Sequence, residues 1–155
     1  MIGFMSVEAQ AEADFDRARR RAFFGRMAAR LRRECSRLLA FDELGEWNLV
    51  HNRRRMGLRD VEVSKIVGSV GRHEAFDRAF MPTKASLAER WKRVDRAFHR
   101  GLDLPAVRLY KVGDSYFVED GNHRVSVARY QGVETIEADV IEFFPLHGEH
   151  LGRTA

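Results

Sequence analysis

The feature that most constrains this chain is the patterning of residues 106–143. Two alternating stretches, AVRLYKV and SYFVED, flank Gly113–Asp114, and Val107, Leu109, Tyr116 and Val118 carry the alternation. That pattern predicts a β-hairpin closed by a tight turn. Gly121 ends the second stretch, residues 122–131 predict a short helix, and Gly132 closes it. Residues 134–143, ETIEADVIEF, predict a final strand with Ile136, Ala138 and Val140 on one face. A hairpin, a helix and a further strand in close succession require a sheet with a helix packed on it.

The rest of the chain is read around that unit. Residues 84–100 predict a helix with Leu87, Trp91, Val94 and Phe98 on one stripe, Thr83 as its cap and Gly101 just past its end. Residues 61–68, VEVSKIVG, predict a short strand, followed by the loop GSVGRHE and an irregular piece around Phe76, Phe80 and Pro82. Residues 6–40 predict one helix, started by Ser6 with Glu8, Glu12 and Asp14 near its positive end. Phe15, Ala18, Ala22, Met27, Leu31, Cys35 and Leu38 keep a helical period along it, and Gly25 is a candidate kink. Residues 41–60 lose periodicity and predict a connector that ends in Arg53–Arg55. The expectation is an α+β fold, a small mixed sheet with flanking helices, preceded by a basic amphipathic helix. The division is residues 1–60, arm and connector, and residues 61–155, compact domain.

At 155 residues the chain buries roughly 70% of its unfolded surface on folding, enough for a core without staples. Cys35 stands alone, so neither an internal disulfide nor a cysteine-based zinc cluster is available. His147, Glu149 and His150 make a sparse group near the end, and no metal site is expected. No apolar run approaches ~20 residues, and the first residues lack a basic, then apolar, leader. The expected compartment is the cytoplasm, with no membrane partner. Residues 1–60 hold 13 Arg and no Lys against 9 acidic residues, a net +4. Residues 61–155 hold 14 basic and 14 acidic residues. All the excess charge therefore sits in the arm. Arg19, Arg20, Arg26, Arg30, Arg33, Arg53, Arg54 and Arg55 are candidates for nonspecific contact with DNA or RNA backbone. The apolar stripe of the arm must pack on its own domain or pair two copies into a homodimer.

The chemistry concentrates in EDGNHRVSVARYQG, residues 119–132. A strand that turns directly into a helix leaves the amides of the first helical turn without partners, a natural seat for an anion. Gly121 permits positive φ and close approach. Asn122, His123 and Arg124 bring side-chain donors to the same place. The residues alone leave a second reading open, in which Asp120 or Asn122 caps the helix and Arg124 pairs with Glu119 or Asp120. Glu119 and Asp120 are also candidates to hold Mg2+ or, with His123, to serve as acid and base.

The string DGNHRVSVARYQGVETIEADV, preceded by the hairpin and by IVGSVGRHEAFDRAF, resembles the ParB/sulfiredoxin superfamily over residues 61–143. That resemblance implies a phosphate-binding Gly-x-His-Arg tetrad, so Gly121, Asn122, His123 and Arg124 would meet a nucleotide, CTP or ATP, with Mg2+. It also implies contacts from IVGSVGR: Arg72 as a second phosphate ligand, with Gly68, Ser69 and Gly71 shaping its loop. Sulfiredoxin carries its catalytic cysteine where this chain has Asn122, so sulfinic-acid repair by that route is excluded. ParB has Arg in place of His123 and Glu in place of Asn122, which leaves the base open. A ParB-type helix-turn-helix region does not follow residue 143 within this sequence, so sequence-specific DNA reading of that kind is not expected. The resemblance implies a nucleotide-binding switch or adaptor in DNA-associated work. A phosphotransferase or nuclease using Glu119, Asp120 or His123 is the enzymatic alternative.

Overall fold

The structure, a computed structural model, describes residues 4–44 and 52–144. The group His147, Glu149 and His150 lies outside the described residues. Helix α1 (Val7–Arg32) begins at Ser6, whose Oγ accepts a hydrogen bond from the Ala9 amide at 3.2 Å. It passes through Gly25 as one continuous helix. It stops at Arg32, not at residue 40. Arg33 takes the left-handed conformation at φ 55, and its amide bonds the Ala29 and Arg30 carbonyls. Beyond that cap, Leu38, Ala40 and Phe41 turn inward and are buried, which a continued helix would not allow.

Among the described residues six strands form one mixed sheet in the order β1-β3-β5-β4-β6-β2. They are β1 (Leu39–Ala40), β2 (Arg53–Glu62), β3 (Ile66–Ser69), β4 (Val107–Val112), β5 (Ser115–Asp120) and β6 (Thr135–Phe143). β4 and β5 make the expected hairpin, with Gly113 at φ 59 in its turn. β6 lies parallel to β4, and β2 runs antiparallel to β6. The stretch expected as a connector is therefore partly a ten-residue strand. Its sequence hides this because β2 is an edge strand, exposed along most of its length and rich in Arg. Ion pairs Arg54–Glu142 (3.0 Å) and Arg55–Asp139 (3.1 Å) tie it to β6 in place of apolar alternation. β2 crosses residue 60, so the chain on both sides of that position shares one sheet.

Helix α2 (Ala88–His99) follows a short 3-10 turn (Ala85–Leu87), and α3 (Asn122–Gln131) connects β5 to β6. Thr83 does not cap α2. Its hydroxyl instead bonds the Glu74 and Ala75 carbonyls and closes the irregular loop before the helix. Trp91 is fully buried and donates from Nε1 to Ser126 Oγ at 2.9 Å. Phe15 of α1 packs on that indole at 5.7 Å between ring centroids. With Leu109, Val118, Val125 and Val140 these residues form the main core. Strand alternation puts Val112, Phe117 and Phe143 on the opposite face, where Phe41 joins them. Gly68 belongs to this packing and not to a phosphate loop. A Cβ there would sit 2.3 Å from the Leu39 carbonyl oxygen and 2.6 Å from the Phe117 ring, so only glycine lets β1 approach β3.

The α1 helix is locked to α2 and α3 by a polar junction. Asp14 bonds His99 Nε2 (2.8 Å), the Tyr130 hydroxyl (3.1 Å) and Gln131 Nε2 (3.2 Å). The same Gln131 amide reaches Asp95 at 2.8 Å. Burial pushes Asp14 up, but these hydrogen bonds outweigh it and hold the carboxyl below its usual value. Asp95 is wholly buried, and that burial, offset in part by Gln131 and reinforced by Asp14, raises it to about 6. The ligand atoms of Asp14, Asp95 and His99 converge within 4.8 Å, but the donors of Gln131 and Tyr130 point into the cluster as hydrogen-bond partners.

Candidate anion-binding cleft

The turn from β5 into α3 is set by one glycine. Gly121 sits at φ 103 as the N-terminal residue of α3. A Cβ there would lie 2.6 Å from Val107 Cγ1 on the neighbouring strand β4. Both positive φ and lack of room demand glycine. No side chain caps α3, so neither Asp120 nor Asn122 fills the role that one reading of the sequence gave them. Asn122 instead occupies the first helical turn, buried, with its Oδ1 lacking a hydrogen-bond partner. The first amides of α3 therefore open toward the space in front of the helix.

That space is a cleft of about 600 Å³. Residues 119–124 form one side, Gly71 and Arg72 a second, and α2 the third through Arg90, Arg93, Val94 and Ala97. Leu104 and Pro105 close an apolar end. The structure thus brings together most of the residues singled out from sequence: Gly71, Arg72, Glu119, Asp120, Gly121, Asn122, His123 and Arg124. Ser69 stands apart. It is fully buried, where its Oγ accepts from the Arg72 amide at 3.1 Å and donates to the Val118 carbonyl at 3.3 Å. It fixes the backbone that carries Arg72 and does not face the cleft.

Arg124 is also largely committed. Its Nη1 donates to the carbonyls of Pro105 (2.6 Å) and Ala106 (3.0 Å), and its Nη2 to Asp120 at 2.9 Å. It braces the approach to β4 and holds Asp120, so the pairing half of the second reading is what forms. The cations without a carboxylate are elsewhere: among the described residues, Arg72, Arg90 and Arg93 make no ion pair. Arg90 and Arg93 were not singled out from sequence. The available signal was their i, i+3 spacing on the helix face opposite to buried Trp91.

His123 completes the wall. It is buried edge-on against Phe76 at 5.3 Å, with Nε2 lacking any partner. Burial first, then the charges of Arg90 and Arg72, push the imidazole down to about 4. It is neutral at pH 7 and can offer a single N–H or lone pair. Glu119 has Arg108 Nε 3.1 Å away, yet its buried Oε2 makes no properly angled hydrogen bond. A cation at the cleft would compete with Arg108 for this carboxylate. The arrangement is a positively charged, partly apolar recess with several orphaned polar atoms, which suits an anionic organic ligand.

The basic residues of the arm are scattered. Arg19, Arg20, Arg26 and Arg30 lie along α1, Arg33 caps it, and Arg53–Arg55 sit on β2 with two of the three paired to β6. Among the described residues no helix is long and apolar enough to cross a membrane.

No protein-family model matches the chain, and no curated protein sequence matches it. Among solved structures the chain is similar to sulfiredoxin from Arabidopsis thaliana, at 20% identity and a TM-score of 0.37, over 54% of this chain and 82% of that one.

Proposed function

We propose that this protein is a nucleotide-binding module whose cleft takes the phosphates of a nucleoside di- or triphosphate. The observation that carries this is the convergence of three arginines without ion pairs, Arg72, Arg90 and Arg93, on the uncapped start of α3. Phosphate oxygens would meet the α3 amides and the guanidinium groups. His123 Nε2, which lacks a partner, would donate to a phosphate oxygen, and Asn122 Oδ1, which also lacks one, would accept from a ribose hydroxyl or base amine. Val94, Ala97, Leu104 and Pro105 offer an apolar ledge for a base or ribose. Glu119 would hold a Mg2+ ion beside the phosphates.

The role is binding in preference to catalysis. Asp120 is engaged by Arg124, and a histidine depressed to about 4 is a weak proton acceptor at neutral pH. A ligand-dependent switch or adaptor is the activity that such a site supports. The test is a thermal-shift panel of CTP, ATP, ADP and GTP with Mg2+. At least one should raise Tm, and Arg72→Ala or Arg90→Ala should remove the rise. A panel without any shift sinks the proposal.

A further inference from the structure

Helix α1 has two apolar faces, and among the described residues only one is covered. Ala11, Phe15, Ala18 and Ala22 are buried against the domain. On the other side Phe23, Phe24, Met27 and Leu31 are exposed at 52%, 64%, 50% and 85%. They are spaced i, i+3, i+4 and so form one continuous strip. Four large apolar side chains clustered on one face mark a surface built to be covered.

The charges around the strip say what covers it. Arg20 lies one turn before Phe23 and Phe24, Arg19 and Arg26 run along its side, and Arg30 stands beside Leu31. None of these four makes an ion pair among the described residues; the carboxylates near them are Asp16 at the start of the strip and Asp77, which lies against α1 at Gly25 and feels the charge of Arg26. A second copy would oppose arginines to arginines, which argues against self-pairing. A nucleic-acid backbone would leave the phenyl rings uncovered. A bilayer surface offers no protruding side chain to the shallow, open depression of about 540 Å³ that Asp16, Arg19, Arg20, Phe23 and Phe24 line.

We infer that the outer face of α1 docks an acidic amphipathic helix of a partner protein. Leucine-like side chains of that helix seat on Phe23, Phe24, Met27 and Leu31, and flanking carboxylates pair with Arg20 and Arg30. The apolar strip spans residues 23–31, about 12 Å of helix at 1.5 Å per residue, enough for about two turns of a partner, and the flanking arginines extend the surface to residue 19. This inference does not depend on the nucleotide cleft.

The test uses synthetic helical peptides with leucine on one face and glutamate flanking it, in several registers, titrated against the full-length protein by fluorescence anisotropy. Twin peptides with lysine in place of glutamate serve as charge controls. A glutamate peptide should bind and its lysine twin should not. Phe24→Ser with Leu31→Ser should weaken binding at least tenfold, with helix content by circular dichroism unchanged because both residues are exposed. The inference is overturned if no glutamate peptide binds or if the double variant binds as well as the wild type. It is also overturned if the protein sediments as a dimer that this double variant dissolves. The same holds if vesicles of equal phosphatidylglycerol and phosphatidylcholine take up the wild type but not the double variant while no glutamate peptide binds.

Discussion

The junction of α1, α2 and α3 and the cleft in front of α3 contain the same kinds of residue, and they use them in opposite ways. At the junction, Asp14 accepts from His99, Tyr130 and Gln131, and the Gln131 amide also serves Asp95 Oδ1, so that one atom, Asp95 Oδ2, is left without a hydrogen bond, with His99 Nε2 3.3 Å away. In the cleft, His123 Nε2 and Asn122 Oδ1 are buried without partners, and three arginines pair with no carboxylate, among the described residues. A buried polar group left unmade costs free energy, so a set of them in one concave place signals a ligand. The junction's polar groups largely serve one another, and those of the cleft are the ones the proposed ligand would serve. Arg124 belongs to the first class although it lies in the second region, since its donors are spent on Pro105, Ala106 and Asp120.

This contrast can be broken by substitution. The largest expected effect is at the junction. Asp14→Ala strips the acceptor from His99, Tyr130 and Gln131 and should cost about 3 kcal/mol in urea denaturation. Gly121→Ala forces a side chain into positive φ and against Val107, and should cost about 2 kcal/mol. Next comes acidity. His123 is held at about 4 against an ordinary 6.5. Its depressed folded value means that the unfolded chain binds the extra proton first, so its contribution is intact above pH 6.5 and lost as pH falls toward 4. Asp95, raised to about 6 from 3.8, acts in the reverse sense and lowers stability as pH rises from 4 to 6. Asp77, also raised by burial, acts in the same sense as Asp95. Asp95→Asn removes one of these opposing contributions and should steepen the loss of stability as pH falls from 6.5 to 4, read by denaturation at several pH values. A slope no steeper than that of the wild type would show that Asp95 does not offset His123 in this range.

The smallest expected effect on stability is in the cleft. Arg90→Ala should change it by less than about 0.5 kcal/mol, because the side chain is exposed and makes no ion pair. The same substitution should raise the His123 pKa, since Arg90 is among the charges that depress it. Proton NMR of the imidazole checks the direction. If Arg90→Ala costs as much as Asp14→Ala, the division between structural and ligand-seeking polar groups fails.

Much of this was legible in the sequence. The hairpin, α3, its closing Gly132 and β6 follow from alternation and glycine placement, and residues 119–124 were marked as the start of a helix with donors around it. The parts that escaped did so for physical reasons. β2 is an exposed edge strand stabilised by cross-strand ion pairs, so its apolar period is absent. The end of α1 depends on Arg33 in a left-handed cap and on the pull of Leu38 and Phe41 into the core, neither of which local periodicity reports. Gly68 looked like a loop glycine because a close approach between β1 and β3 is a tertiary fact. Arg90 and Arg93 became part of the cleft only when α2 was laid beside α3.

The most direct measurement is calorimetric titration of ATP and CTP, each with Mg2+, into three proteins: the wild type, Arg90→Ala and Tyr130→Phe. The account predicts that at least one nucleotide binds the wild type, that Tyr130→Phe binds it equally well, and that Arg90→Ala weakens it at least tenfold. Absence of binding to the wild type, or equal loss in both variants, would contradict it.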